Sequence, residues 1–212
     1  MFIKPNQFVI PTEQRDYSEW HRGRTRYALW YLLLDQVKHA EIIKQLDQIR
    51  HQFSDCLIKS SNRQYHITLY IGGFLTCDES IYNDDFPQSL FVKQQQQLES
   101  LNLSHSITLK LTAVNSFESA LFVQVSDSLH QLISIRSALR LAQHTEVAAQ
   151  TYCAHITLGL YAQKVMGQDV LQRLDACAAL DVELEFDQIH FGYYSAQTLQ
   201  GPLHSLYCFN LE

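Results

Sequence analysis

The sequence of 212 residues has none of the cysteine patterns that organise small domains. Its five cysteines are odd in number, scattered and never spaced as Cys-x-x-Cys; they are Cys56, Cys77, Cys153, Cys177 and Cys208. A disulfide framework or a structural zinc site requires paired or closely spaced cysteines. The pattern therefore predicts reduced thiols in a cytoplasmic protein.

Positive charge and long apolar runs are scarce as well. Lys and Arg number 16 against 22 Asp and Glu, so the formal net charge is −6. This balance argues against a protein that coats nucleic acid, which requires a basic face, but it leaves room for a small pocket that binds one phosphate. The longest apolar run, 27–34, is far shorter than the roughly 20 residues that span a bilayer. We therefore expect no membrane association, and nothing in the composition calls for more than a monomer.

Hydrophobic periodicity predicts about seven strands and four helices. Period-two or continuous apolar patterns predict strands at 27–34, 65–74, 107–114, 119–126, 152–161, 182–191 and 203–211, the last two pairing as closing strands. Helical spacing predicts helices at 36–53, 86–101, 128–143 and 165–178. The glutamine tract 94–97 falls in the second helix, where we expect a solvated face. Residues 1–21 have no clear period and are expected to form an extended leader on the surface.

The tetrapeptide His-Ile-Thr-Leu occurs twice, at 66–69 and at 155–158. In each copy it closes a predicted strand–helix–strand unit, and the offsets from strand start (27 or 119) to histidine are similar, 39 and 36 residues. A repeated motif in a repeated context indicates an internal duplication. We therefore expect one bilobal domain over 1–212, with the leader at 1–21 and units at about 22–102 and 103–212.

Each copy of the motif places an imidazole and a hydroxyl on one face of its strand, because residues i and i+2 point the same way. The four residues, His66, Thr68, His155 and Thr157, are called the quartet below. Two units related by a pseudo-twofold axis would gather the quartet around one cleft. One neutral and one protonated imidazole provide the base and the acid that cleavage of a phosphodiester requires, and the hydroxyls can donate to the phosphoryl oxygens.

Three further residues near the motifs are predicted to bind the substrate. Arg63 precedes His66 by three residues and suits a phosphate. By strict alternation Tyr70 shares the face of His66 and Thr68, and Tyr161 shares the face of His155 and Thr157. Either tyrosine could stack on a base or donate to a phosphate.

Two His-x-Thr-hydrophobic motifs in a duplicated α/β chain of this length resemble the 2H phosphoesterase superfamily, which includes 2′–5′ RNA ligase-like proteins and RNA cyclic phosphodiesterases. The resemblance covers the chain from about residue 22 to its end. It implies an α+β bilobal fold of two antiparallel sheets that flank a central cleft, with helices outside. It also implies chemistry without a metal or cofactor, and a catalytic role for the quartet.

The resulting prediction is a metal-independent phosphodiesterase that acts on 2′,3′-cyclic or 2′–5′ phosphodiesters of RNA ends or small nucleotides. Run in reverse, the same site would perform 2′–5′ RNA ligation, and the pseudo-symmetry does not show which histidine is the base. The rival hypothesis from another class is a module that binds a nucleotide or RNA end without turnover. A metal-dependent hydrolase is a third possibility, because paired histidines also occur in zinc and iron sites.

Several other residues have both a functional and a structural interpretation. His190 and His204 lie on the closing strands, and we expect structural roles for them, although both are near enough to reach the cleft. Cys153 shares a face with His155, but an inert packed thiol is expected there rather than a nucleophile. His105 has the wrong spacing to its threonine and is expected in a loop. The basic cluster Arg22, Arg24 and Arg26 is interpreted as a solvated turn, with an RNA contact as the alternative.

Overall fold

A computed structural model describes residues 2–59, 61–77, 80–101, 103, 105–142 and 152–211, and in these residues it contains nine strands and five helices. The strands are β1 (Arg26–Leu33), β2 (His66–Thr76), β3 (Asp85–Pro87), β4 (Ile107–Ser116), β5 (Ala120–Ser126), β6 (His155–Leu160), β7 (Val182–Phe186), β8 (Gln188–Ser195) and β9 (Leu203–Asn210). The helices are α1 (Ser18–His21), α2 (Ala40–Gln52), α3 (Gln88–Glu99), α4 (Gln131–Ala142) and α5 (Gly167–Asp175). Positions 1, 102, 143 and 212, which bound the predicted leader, units and third helix, lie outside the described residues.

The strands form two antiparallel halves that meet in the middle of one sheet. The order is β7-β4-β5-β6-β2-β1-β8-β9, and β3 adds to β2 in parallel. The halves join where β2 pairs with β6 through Ile67 and Ile156. On either side of this junction the chain repeats one unit, β1-α2-β2 in one half and β5-α4-β6 in the other. The predicted α+β fold is confirmed, and the two predicted antiparallel sheets are the two halves of this one nine-stranded sheet.

The helices tie the two halves together. Helix α2 packs against β6 and α4 packs against β2, so each helix contacts the central strand of the other unit. The aliphatic residues of both motifs lie in this core: Ile67, Leu69, Ile156 and Leu158 are 0–3% exposed. Burial of these side chains under helices fixes which face of each central strand remains open.

Prediction of the C-terminal strands was wrong in one respect. Residues 182–191 do not form one closing strand, because the chain breaks at Asp187 into β7 and β8. Strand β7 pairs with β4 in one half of the sheet, whereas β8 pairs with β1 and β9 in the other. The apolar alternation is similar on both sides of the break, so periodicity alone does not reveal that the chain crosses between halves.

The glutamine tract is not wholly solvated, contrary to expectation. Gln94 is fully buried, and its side-chain amide joins three elements. The indole Nε1 of Trp30 donates to Gln94 Oε1 at 2.7 Å, and Gln94 Nε2 donates to the Leu139 carbonyl at 3.1 Å. A buried amide is tolerated when its donor and acceptor both find partners, as they do here.

The leader is neither wholly extended nor merely laid on the surface, because it turns at residues 5–7 and is partly buried. Ile3 and Val9 are 6% and 2% exposed and belong to the core. The Ile3 and Val9 amides donate to the carbonyls of Ser116 and Val165, both at 3.0 Å. The leader therefore adds backbone pairing and apolar burial to the half that contains β4–β7, before it forms the one-turn helix α1.

Candidate active site

The junction of β2 and β6 brings the two motifs side by side. Because Ile67 pairs with Ile156 in antiparallel register, each histidine of the quartet faces the threonine of the other motif across the strands. The histidines thus occupy opposite corners of a four-residue group, and such diagonal positions lie roughly 7–8 Å apart between Cα atoms. All four quartet side chains are half-buried on the sheet face opposite the core, here called the quartet face.

Each motif is followed at once by a β-bulge. In β2, Thr68 pairs with Tyr31 and Tyr70 pairs with Trp30, so Leu69 is an extra residue. In β6, Thr157 pairs with Phe122 and Gly159 with Leu121, so Leu158 is extra at the equivalent position. A bulge shifts the inward–outward alternation of a strand by one residue. The motifs therefore match in their local backbone as well as in sequence.

These bulges explain why the predicted placement of the two tyrosines was wrong. Tyr70 and Tyr161 are fully buried in the core and not on the quartet face. Tyr70 lies opposite the core residue Trp30, and the Tyr161 hydroxyl shares a hydrogen bond of 2.7 Å with Ser116 Oγ. Strict alternation, on which the prediction relied, fails at the residue after each motif leucine.

The two imidazoles are held by the same backbone contact. His66 Nδ1 lies 2.8 Å from the Gln64 carbonyl, and His155 Nδ1 lies 2.8 Å from the Cys153 carbonyl. A carbonyl oxygen only accepts, so Nδ1 carries the proton in both rings and donates it. In the neutral form Nε2 then keeps its lone pair, which makes it the nitrogen able to accept a proton from a reactant.

Burial lowers the pKa of both imidazoles, and nearby charge adds to this effect at His66. Burial, with the nearby Arg63 cation and the other histidine, lowers the pKa of His66 to about 4 despite the stabilising contact with Gln64. Burial also lowers the pKa of His155, partly opposed by its contact with Cys153. Neutral imidazoles near pH 7 are proton acceptors, and the negative charge of a phosphate would raise both pKa values.

Arg63 lies beside His66 and is fixed in place. Its Nε donates to the Gly201 carbonyl, and its guanidinium lies 4.0 Å from the Tyr194 ring centroid. Burial lowers the pKa of Arg63, but an arginine remains charged at any ordinary pH. The structure thus brings a positive charge close to one of the two histidines, as the sequence suggested.

The neighbours of the two histidines differ in polarity. The His66 ring meets Tyr31 edge-on at 5.9 Å, and His190 stacks on Tyr31 at 5.4 Å. His155 instead meets the rings of Phe117 and Phe122 at 5.0 and 5.4 Å. Sequence reasoning missed all three of these neighbouring aromatic residues, because they come from strands and turns far from either motif.

A second missed group supports the backbone of β2 from the other half of the molecule. The Tyr152 hydroxyl donates to the Thr68 carbonyl at 2.9 Å, and the Arg136 guanidinium donates to the Leu69 carbonyl. Arg136 is 7% exposed and lies 3.7 Å from the Tyr152 ring centroid. These contacts bind the carbonyls at the bulge and so hold the first motif against the second.

The other residues for which the sequence allowed both a functional and a structural interpretation differ in their positions. His190 is half-buried and reaches the surroundings of His66 through Tyr31, whereas His204 is exposed and stacks on Tyr193 at 5.0 Å. His105 lies in a loop, as predicted. Burial raises the pKa of Cys153, which disfavours a thiolate nucleophile.

One of the three arginines of the basic cluster has a structural role. Arg24 Nη1 lies 2.6 Å from a carboxylate oxygen of Asp84 and of Asp85, and the guanidinium lies 4.0 Å from the Phe74 ring centroid. Asp85 is 3% exposed and accepts two backbone amides as well. Arg24 is therefore committed to an internal ion pair, while Arg22 and Arg26 are exposed.

Neither a metal cluster nor a membrane span is evident in the part of the chain that the structure describes. Within those residues, no group of three or more His, Cys, Asp and Glu side chains is arranged to hold a metal ion. Among the described helices, none combines the length and apolarity needed to cross a bilayer. All five cysteines are free thiols.

Comparison with solved structures identifies proteins of the same fold. E. coli LigT complexed with ATP superposes with a TM-score of 0.58 at 14% sequence identity, covering 88% of this chain and 98% of LigT. TT0787 of Thermus thermophilus superposes with a TM-score of 0.53 at 12% identity, covering 87% of this chain and 97% of TT0787.

Comparison of the sequence with curated proteins gives no significant match. The family model described as the 2′-5′ RNA ligase superfamily matches residues 38–198, which include both motifs. The chain therefore belongs to the 2′-5′ RNA ligase superfamily, within the 2H phosphoesterases.

Proposed function

We propose that the protein is a metal-independent phosphodiesterase acting on 2′,3′-cyclic or 2′–5′ phosphodiesters of RNA ends or small nucleotides. The observation that carries the proposal is the quartet itself: two imidazoles with protonated Nδ1 and available Nε2, each opposite a threonine across β2 and β6. Such a group fits one tetrahedral phosphoryl centre, with an acid–base residue on either side.

In hydrolysis, one histidine takes a proton from water through Nε2 as the water oxygen attacks phosphorus. The bond from phosphorus to a ribose oxygen breaks, and the other histidine donates its Nε2 proton to that oxygen. The threonine hydroxyls donate to the non-bridging oxygens, where charge increases in the transition state. The products are a phosphomonoester and a free ribose hydroxyl, and the two histidines have exchanged protonation states.

We assign the base to His66 and the acid to His155. Burial is the main cause of the lowered pKa of both histidines, and at His66 the Arg63 cation disfavours protonation further. When an anionic phosphate binds between the rings, His155 is the imidazole that more readily holds a proton. Arg63 would also pair with a substrate phosphate bound at the quartet.

The same groups also support ligation, with a 5′-hydroxyl in place of water. The 5′-oxygen attacks the phosphorus of a 2′,3′-cyclic end, the bond from phosphorus to the 3′-oxygen breaks, and a 2′–5′ linkage results. His66 would take the proton of the 5′-hydroxyl and His155 would donate one to the 3′-oxygen. The substrate class is supported by structures of the similar protein E. coli LigT complexed with ATP and with 3′-AMP. The free cysteines suit a reducing compartment, so we place the reaction in the cytoplasm.

The experiment is turnover of a panel of nucleoside 2′,3′-cyclic phosphates and 2′–5′ dinucleotides in excess EDTA. His66→Ala and His155→Ala should each lower kcat on the order of a hundredfold or more, the usual contribution of an acid–base residue. His204→Ala, an exposed histidine stacked on Tyr193, is the matched control and should behave as wild type.

Each alternative predicts a different result. Loss of turnover in EDTA that is restored by a divalent metal would indicate a metal-dependent hydrolase. Nucleotide binding without turnover at any pH would indicate a binding module. Turnover that survives both alanine substitutions would contradict the assignment of the quartet.

A further inference from the structure

Three phenylalanine rings pack together beside His155, and their exposure increases away from the core. Phe122 is fully buried, Phe117 is half-buried, and Phe2 is 45% exposed. Phe117 stacks on Phe122 with centroids 4.0 Å apart, and Phe2 lies 5.5 and 5.9 Å from these two rings. We call this group the phenylalanine stack.

The phenylalanine stack begins at one of the two proposed reacting groups. The His155 ring meets Phe117 and Phe122 at steep interplanar angles, 84° and 71°. Phe122 pairs with Thr157 in the sheet, which places its side chain on the quartet face. The rings thus extend from the imidazole of His155 to solvent at Phe2.

Phe2 comes from the leader and is held firmly beside Phe117. The two residues form an isolated antiparallel bridge, and the next residue, Ile3, is 6% exposed and donates its amide to the Ser116 carbonyl. Further along, Gly167 lies against the Lys4 carbonyl so closely that a Cβ there would overlap it. The leader is therefore packed tightly enough to fix the position of the Phe2 ring.

A ring so exposed, and so firmly placed beside Phe117, which itself contacts His155, suits an apolar, planar ligand group. Phe8, on the same leader, is exposed to the same degree, 46%, but the Lys164 ammonium lies over its ring at 4.3 Å. In a nucleotide the base lies one ribose away from the phosphate, and bases stack on aromatic side chains in proteins that bind single strands.

We propose that Phe2 and Phe117 form a stacking platform for the base of the nucleotide whose phosphate lies between His66 and His155. This inference rests on the proposed function, because the quartet fixes where the phosphate lies. It gives the leader a role in substrate binding: it adds an aromatic surface to the site. Stacking tolerates any base, so the platform selects for nucleotides over phosphodiesters without a base.

The test compares wild type with Phe2→Leu and with the control Phe8→Leu. The substrates are adenosine 2′,3′-cyclic phosphate and ribose 2′,3′-cyclic phosphate without a base. Phe2→Leu should raise KM for the adenosine substrate about tenfold, a typical effect of losing one stacked base. It should leave kcat, and the KM for the base-free substrate, unchanged. Phe8→Leu should match wild type on both substrates, and the thermal unfolding midpoints of the two variants show whether folding is equally affected.

Equal KM values for Phe2→Leu and Phe8→Leu would overturn the inference while leaving the proposed function intact. An equal rise in KM for the base-free substrate in Phe2→Leu would also overturn the inference, because such a rise would be a structural effect and not a loss of base stacking. Calorimetric binding of AMP and of ribose 5-phosphate separates the two proposals. If no substrate turns over but Phe2→Leu weakens the binding of AMP and not that of ribose 5-phosphate, the phosphodiesterase proposal fails and the platform stands. If the wild-type protein does not bind AMP, the platform is overturned.

Discussion

The two halves of the candidate site share their backbone but not their surroundings. Each histidine donates Nδ1–H to the carbonyl two residues before it, and each motif ends in a bulge at its leucine. Around His66, however, are Tyr31 and Arg63, whereas His155 lies against the phenylalanine stack. The repeated unit thus reproduces the geometry, and side chains that differ between the two units, together with segments outside them, make the two imidazoles unequal.

Those outer segments come from different parts of the chain. On the His66 side, the hairpin β8–β9 pairs with β1 and brings His190 next to Tyr31. On the His155 side, the leader and the turn between β4 and β5 bring in Phe2 and Phe117. Since one side is polar and cationic and the other is aromatic, a duplicated pair of identical tetrapeptides can perform two different steps of one reaction.

The largest effect we expect tests whether the two halves are equivalent. Thr68→Val and Thr157→Val should each lower kcat on the order of a hundredfold, as removal of one donor to a developing oxyanion does. Steady-state kinetics on the preferred cyclic phosphate measures this, with Thr112→Val as control because that hydroxyl donates to the Gln124 carbonyl outside the quartet. A large loss in one variant alone would show that a single threonine holds the phosphoryl group.

A smaller effect should distinguish His66 from His155. Replacing Arg63 by Met removes a cation that disfavours protonation of His66, so the pKa of His66 should rise from about 4 toward its usual value. Because the base must be neutral, the acidic limb of kcat/KM should move up by about one pH unit, and activity near pH 4 should fall about fivefold.

The pH–rate profile of Arg63→Met is compared with that of Arg26→Met, an exposed arginine 5.9 Å from the Tyr193 ring centroid. Arg26→Met should keep the wild-type limb. If the acidic limb does not move in Arg63→Met, the reason for choosing His66 as the base is lost. The base would then be His155, or either histidine could serve as the base.

The smallest effect on catalysis is expected in the core beneath the site. Tyr161→Phe should leave kcat/KM unchanged, because the ring lies in the core, away from the quartet face. It removes the hydroxyl bonded to Ser116, so the free energy of unfolding should fall by about 1 kcal/mol in a denaturant titration. A clear loss of activity at unchanged stability would instead indicate that Tyr161 has a role in the candidate active site.

Much of the fold could be predicted because buried apolar residues recur at regular spacing along strands and helices. The alternation of His66, Ile67, Thr68 and Leu69 indicates a strand with one core face, and the structure buries Ile67 and Leu69 as that pattern requires. The prediction failed where the period breaks. Neither a bulge nor the crossing at Asp187 changes composition enough to be seen in a single sequence.

The sequence by itself determined the repeat, the pairing of an imidazole with a hydroxyl in each copy, and the burial of the residues between them, because these depend on local spacing along a strand. Only the tertiary structure decided that Ile67 meets Ile156, that Tyr70 and Tyr161 turn into the core, and that Phe117 lies against His155. These outcomes depend on contacts between residues tens of positions apart, and a single amino-acid sequence contains no local signal of such contacts.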